Sequence, residues 1–309
     1  MNNTENFEEV MTLNASLANI STANGYALGL KTEKGVLNIT ATGESFGMPV
    51  PKDMDDLLQN GLGEQVRNIR QFALHKPEAG VWIKSEEVKF APLVTRPEKI
   101  ICVGFNYRKH AEETGTEIPK APPLFAKFNN ALNHHNGVVT LPVQADSHFD
   151  YETELVIVFG KPCHRVSEDE AFEYIAGYTV GNDVSARTLQ QQTPQLTAGK
   201  ISDGFAPLGP WLVTRDQIPN PNDLRLKTWF NGELRQDWTT SDMIFNCRQL
   251  ISYVSAITAL KPGDILFTGT PQGVILGQKI PADQRRWIKA GDEVISVIEH
   301  LGELKVTYQ

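Results

Sequence analysis

The second half of the chain is a succession of short strand-like runs separated by turn residues, and this limits the fold more than any other feature. ELVIVFG (154–160), AGYTVGND (176–183), GPWLVT (209–214), LRLKTWFNGELRQ (224–236), GDILFTGTP (263–271) and DEVISVIEHLGELKVTY (292–308) are rich in β-branched and aromatic residues. Gly, Asn and Pro punctuate them. Asn231-Gly232, between two alternating segments, predicts a tight hairpin. Only EDEAFEYIA (168–176) and MIFNCRQLISYVSAITAL (243–260) predict helices here, the second capped by Ser241 or Asp242. Strands therefore do not alternate with helices as in a dinucleotide-binding fold, and TGTPQGV (268–274) lacks the lysine of a phosphate loop. The expected class is α+β, dominated by strands.

The first ninety residues predict a smaller α+β module. YALGL and VLNIT flank KTEKG as a hairpin, and residues 54–76 predict short helices broken at Gly61 and Gly63. VWIKSEEVKFAPL (81–93) returns to alternation. The proline-bearing stretch 91–99 is the expected boundary, giving domains 1–95 and 96–309. After it, IICVG (100–104) predicts a buried strand. A brief helix over 107–114 follows, with Asn106 as cap and Gly115 as terminator. His110 and Glu113, three apart, share one face of that helix.

FDYETELVIVFG (149–160) poses the chemical question. Side chains alternate along a strand, so Glu152 and Glu154 point the same way. Two neighbouring carboxylates repel, and burial costs several kcal/mol each unless something neutralises them. An exposed edge strand is one solution. A hard divalent cation bound by oxygen ligands is the other. A third carboxylate, Asp183, follows the strand AGYTV. Taken alone it is a turn-former or helix cap; together the three make an oxygen site suited to Mg²⁺ or Mn²⁺, with Ca²⁺ as a further option.

Composition excludes several classes. A net charge of −8 without a basic stripe argues against nucleic-acid binding. No apolar run approaches a membrane span. MNNTENFEEVMTL lacks the pattern of a secretory signal. Three scattered cysteines, Cys102, Cys163 and Cys247, suit neither a disulfide framework nor a zinc site, and the expected location is the cytoplasm. Adjacent His134 and His135 sit in an Asn- and Gly-rich segment read as a loop, not a metal site. Phe149 and Trp211 are expected to pack in the core.

VGFNYRKHAEE (103–113), DYETEL (150–155), GNDVSAR (181–187) and GDILFTGTPQGV (263–274), with GK (199–200) and PLGPWLV (207–213), stand in an order and spacing that resembles the fumarylacetoacetate hydrolase superfamily. The resemblance runs from about Arg96 onward. It implies a C-terminal β-roll domain behind a small N-terminal α+β domain, with metal ligands at Glu152, Glu154 and Asp183. Lys200 matches the family's active-site lysine. His110 and Glu113 match a His-x-x-Glu pair able to activate water, and Gln190 a position that contacts substrate or metal-bound water. Thr270 matches a substrate-binding turn. Arg187 is a second cation near the metal, and Tyr107 and Lys127 would line the mouth of the site. Ile-Ser-Asp-Gly-Phe after Lys200 and Ile-Leu-Gly after GTPQGV depart from the frequent family pattern, which affects the pocket walls. The implied activity is metal-dependent C–C cleavage of a 2,4-diketo acid through a stabilised enolate. Oxaloacetate decarboxylation, isomerisation of 2-hydroxyhepta-2,4-diene-1,7-dioate type, and hydrolysis of a sugar-derived diketo acid are the alternatives within the family. A non-catalytic metal-binding paralogue is the alternative outside enzymes. The partner expected is a small 2-oxo acid, and the assembly a homodimer.

Overall fold

The computed structural model describes residues 3–309, with side chains from residue 7 onward. α1 (Asn3–Met11) leads into the meander β1 (Ser16–Thr22), β2 (Gly25–Thr32) and β3 (Gly35–Asn38), whose second turn is the expected hairpin. α2 (Ile39–Ser45) is capped by Asn38, whose side chain accepts from the Ala41 amide. α3 (Met54–Asn60) stops at Gly61, which adopts the left-handed conformation (φ 65°), and α4 (Gly63–His75) restarts two residues later. The predicted break is therefore real. β4 (Trp82–Ile83) then closes this part of the chain, and a single 3₁₀ turn at Ser85–Glu87 interrupts the expected alternation.

The rest is strand-rich as expected. β5 (Ile100–Val103), α5 (Arg108–Thr114), β6 (Leu124–Lys127), β7 (Leu132–His134) and β8 (Gly137–Val139) come first. β9 (Phe149–Asp150), β10 (Thr153–Phe159), β11 (Ile175–Asn182) and β12 (Ser185–Ala186) carry the acidic motifs into α6 (Arg187–Gln191). β13 (Ala206–Thr214), β14 (Arg225–Phe230), β15 (Glu233–Thr239), α7 (Cys247–Ile257), β16 (Ile265–Phe267), β17 (Glu293–Ile298) and β18 (Gly302–Tyr308) complete the order. The β14–β15 turn places Asn231 and Gly232 at φ 49° and 81°, the paired positive values that Asn-Gly supplies cheaply.

An 11-stranded sheet runs β4-β3-β2-β1-β13-β11-β10-β16-β5-β6, with β7 added beside β13. β1 pairs with β13, so hydrogen bonds tie the N-terminal meander to the later strands across the 91–99 stretch. A 5-stranded sheet, β15-β14-β17-β18-β8, packs against it. β10 lies in the middle of the large sheet and every residue of it is buried. The edge-strand solution for Glu152 and Glu154 is thereby excluded.

Two helix expectations need correction. Residues 168–176 form only a 3₁₀ turn at Ala171–Tyr174, because Ile175 already enters β11, whose pairing outweighs the local helical preference. α7 begins at Cys247 rather than 243, with Asn246 and Gln249 forming a reciprocal capping box. Asp242 instead accepts the Lys109 amide of α5 at 3.0 Å, capping a helix more than a hundred residues away in sequence. Asn106, expected to cap α5, is occupied elsewhere: its side chain binds Phe245 through both backbone groups and the Thr268 carbonyl. Phe149 and Trp211 do pack in the core, and all three cysteines are buried and unpaired. The segment of His134 and His135, expected to be a loop, is a strand–turn–strand instead: His134 ends β7, His135 stands in the turn before β8, and both rings bond to backbone atoms.

Candidate metal centre and active site

β10 and β11 pair so that Thr153 faces Asn182 and Glu154 faces Gly181. That register brings Glu152 and Glu154 beside Asp183, which leaves the end of β11. One carboxylate oxygen from each lies within 4.8 Å of the other two, and all three residues are buried. The opposite face of the strand is equally committed. Thr153 bonds Thr228 and Ser296 of the second sheet, at 2.5 and 2.6 Å.

Cations crowd the acidic cluster. Lys200 Nζ donates to Glu152 Oε2 (2.5 Å), Asp183 Oδ2 (2.7 Å) and Ser185 Oγ (2.7 Å). Arg187 donates to Glu152 Oε1 (2.8 Å), Asp150 Oδ2 (2.9 Å) and the Gln190 carbonyl oxygen (2.9 Å). Burial pushes the Glu152 carboxyl up, but Arg187 and Lys200 outweigh it and hold Glu152 well below the usual carboxylate range. Glu154 is the opposite case. Burial, then Asp183 and Glu152, push its carboxyl well above that range, and its recorded hydrogen bond is from the Gly269 amide at 2.7 Å.

The residues fit a hard divalent cation. Asp183 Oδ1 is a buried oxygen without an aligned hydrogen bond, although Lys127 Nζ stands 2.6 Å away. Glu154 is buried with no cation in ion-pair contact among the described residues. Three carboxylate oxygens and no sulfur or imidazole suit a hard dication such as Mg²⁺, Mn²⁺ or Ca²⁺. Four carboxylates (Asp150, Glu152, Glu154, Asp183) face three cations (Lys127, Arg187, Lys200). With a dication bound and all four carboxylates ionised, the net charge is +1. This complements a single substrate carboxylate.

A cavity of about 30 Å³ opens over the cluster, and His110, Gln190, Lys200, Arg187 and Thr270 all line it. His110 Nδ1 is 3.4 Å from Glu113 Oε2, at the long end of a hydrogen bond. The Gly273 amide reaches both oxygens of Glu113, at 3.1 and 3.2 Å. Gly277 matters here: a Cβ on it would meet Glu113 Cδ at 2.1 Å, so the close approach needs glycine. Phe105 stacks on the His110 ring from a left-handed backbone conformation (φ 51°).

Two expected mouth residues are elsewhere. Tyr107 is fully buried in the core, paired through its backbone to Met243, and its hydroxyl has no partner among the described residues. Lys127 lies behind the cluster. Its ammonium donates to the carbonyls of Lys200, Phe205 and Val184 while pairing with Asp183, so it positions the walls and has no donor left for a ligand. Arg187 does line the cavity, and it commits three N–H donors to Asp150, Glu152 and Gln190.

Asp150 escaped the sequence reading. It accepts from Arg187 and from the Ile275 and Leu276 amides, joining the acidic strand to the loop over the cavity. The same alternation that aligned Glu152 with Glu154 puts Asp150 on that face, so the signal was present. Gln236 left no such signal. Buried between the sheets, it donates to Thr270 Oγ1 and the Pro271 carbonyl, each at 2.9 Å, and fixes the turn that lines the cavity.

Residues 99–309 match the family model described as fumarylacetoacetate (FAA) hydrolase C-terminal. The chain is 38% identical over 282 residues to the human mitochondrial oxaloacetate tautomerase FAHD2A, covering 90% of this chain and 86% of that protein. It is 46% identical over 205 residues to 2,4-didehydro-3-deoxy-L-rhamnonate hydrolase of Sphingomonas sp. (strain SKA58), covering 66% and 70%. Maleylpyruvate hydrolase from Sphingobium sp. SYK-6, solved in complex with manganese(II) and pyruvate, superposes with a TM-score of 0.74 at 27% identity, covering 95% and 98%. Among the described residues no helix is long and apolar enough to cross a membrane. The chain belongs to the fumarylacetoacetate hydrolase family, a family of enzymes.

Proposed function

We propose that this protein is a divalent-metal-dependent hydrolase that cleaves a C–C bond in a 2,4-dioxo acid of the acylpyruvate type. The observation that carries this is the meeting, over one buried cavity, of a three-carboxylate oxygen cluster with a histidine braced by a glutamate. Mg²⁺ or Mn²⁺ held by Glu152, Glu154 and Asp183 would supply Lewis acidity toward the oxygens of a 2-oxo acid.

The other steps belong to side chains of this chain. Glu113 accepts from His110 Nδ1, which leaves Nε2 as the base. His110 takes a proton from water, and the oxygen adds to the C4 carbonyl. The C3–C4 bond then breaks, the acyl part leaves as a carboxylic acid, and the electron pair left on C3 passes into the 2-oxo group until a proton quenches it. Lys200 and the free amide donors of Gln190 oppose the negative charge that develops. Arg187 holds Glu152 and the Gln190 side-chain carbonyl oxygen so that the Gln190 donors face the cavity.

The manganese–pyruvate complex of the structural neighbour and the hydrolase name of one relative support this reading. A second reading, oxaloacetate tautomerisation, is favoured by the likeness to the human tautomerase over nearly the whole chain. It needs only proton transfer between carbon and oxygen at the same cavity, with no attack by water.

The test is a Mn²⁺-supplemented assay on acetylpyruvate and on oxaloacetate, with Glu152→Gln as control. Loss of the diketo absorbance with equimolar pyruvate, in wild type only, is the expected result. Faster enol–keto exchange of oxaloacetate without cleavage of acetylpyruvate would replace hydrolysis with tautomerisation. Pyruvate and CO₂ from oxaloacetate alone would make decarboxylation the activity. No turnover of either, with metal bound, would refute all three.

A further inference from the structure

The inner cavity cannot hold a whole substrate of the proposed class. At about 30 Å³ it has room for an ion and little more than one or two waters. Phe105 and Leu276 line it and also line a second, outer cleft of about 510 Å³. A ligand anchored at the carboxylate cluster and longer than a pyruvyl unit has this outer cleft to extend into, past these two side chains.

The outer cleft has its own chemistry. Lys279 and Arg285 line it, beside the amides of Gln191 and Gln278. Its one acidic lining residue, Glu113, is committed to the Gly273 amide and His110. Among the described residues neither Lys279 nor Arg285 has a carboxylate within ion-pair distance, although the chain carries a net charge of −8. Arg285 Nε donates to the Ile280 carbonyl at 3.0 Å, and neither Nη group has a recorded partner. That side chain is half-buried and lies 5.8 Å from the Trp287 ring centroid, which restrains the guanidinium. Lys279 spends one ammonium donor on the Glu113 carbonyl and keeps two. A fork of free donors in a partly desolvated cleft is suited to a carboxylate.

We propose that the outer cleft is the subsite for a second, distal carboxylate of the substrate, bound by Arg285 and Lys279. The substrate class narrows to 2-oxo dicarboxylic acids long enough to reach past Phe105 and Leu276. This rests on the 2-oxo acid reading of the inner site.

The experiment measures binding rather than turnover, so the two proposals can fail separately. Calorimetry with the Mg²⁺-loaded protein compares 2-oxoadipate with 2-oxohexanoate, which share a chain length and differ in the terminal carboxylate. Wild type should bind the diacid at least tenfold more tightly, and that preference should shrink with salt. Arg285→Gln combined with Lys279→Gln should erase the preference and leave the affinity for 2-oxohexanoate unchanged. Circular dichroism checks that the fold is kept. Equal affinities in wild type, or a preference that survives both substitutions, overturns the subsite. A preserved preference in a protein without hydrolytic turnover would sink the hydrolase reading and leave the subsite standing. Binding of neither acid would overturn both.

Discussion

Glu152→Gln and Glu154→Gln are near-isosteric changes on the same face of one strand, and the structure predicts very unequal stability effects. Glu152 is the shared anion of Arg187 and Lys200, at 2.8 and 2.5 Å. Removing its charge leaves two buried cations under-compensated, and breaking a buried pair in this way costs about 3–5 kcal/mol. With an unfolding entropy of about 2.1 cal/mol/K per residue, a chain of 309 residues loses about 5–8 °C in Tm. Glu154 has no cation in ion-pair contact, and burial with two neighbouring carboxylates raises its pKa. In metal-free protein its neutral form is therefore favoured to higher pH than for an ordinary carboxyl. Gln keeps an acceptor for the Gly269 amide, so the metal-free Tm should move by less than about 2 °C, corresponding to about 1 kcal/mol. Metal adds a loss common to both. At about 100-fold over Kd a ligand adds about 2.7 kcal/mol, roughly 4 °C for a chain of this size, and both variants should lose most of it. Scanning calorimetry in EDTA and in excess Mn²⁺ reads all of these quantities. A metal-free Glu154→Gln protein that loses as much as Glu152→Gln would show Glu154 ionised and paired, and would refute the assignment.

The same asymmetry predicts proton release. Because the folded pKa of Glu154 is raised, the folded metal-free protein keeps that proton at pH values where an ordinary carboxyl has lost it. Its stabilising contribution is present at low pH and is lost as pH rises through the raised pKa. Metal binding must expel the proton, so affinity should rise with pH, and titrations in buffers of different ionisation enthalpy should show release in wild type but not in Glu154→Gln. Gly277→Ala should displace Glu113 and lower kcat by about 10²-fold with metal affinity unchanged, as Glu113→Gln would; an unaltered kcat would remove the brace from the mechanism. The cysteines should resist thiol reagents in native protein, since burial pushes Cys247 up to about 12 and Cys102 well above its ordinary value. Rapid labelling without denaturant would contradict that. Asn246→Ala should cost about 1 kcal/mol through the lost capping box, seen as a shift in urea midpoint at constant m.

Local rules carried the sequence a long way. The Asn231-Gly232 turn, the break at Gly61 and the alternation of Glu152 with Glu154 depend on backbone freedom and side-chain period, which nearby residues set. The same period, together with motif order, made the acidic cluster and His110–Glu113 legible in the chain itself. What the sequence could not decide was long-range competition for the same groups. Asn106 had every mark of a helix cap, yet its amide closes Phe245 and Thr268 together, and Asp242 caps α5 from across the fold. Residues 168–176 had a helical composition, but β11 needed Ile175. Lys127 and Tyr107 could be placed near the motifs and not on a side of them, because only the packing of β6 and α5 sends one behind Asp183 and the other into the core. The number of cations around the carboxylates, the brace of Gly277 on Glu113 and the free donors of Arg285 arise between segments distant in sequence. Sequence fixes which charges are present; only the tertiary structure decides which of them are already neutralised and which remain for a ligand.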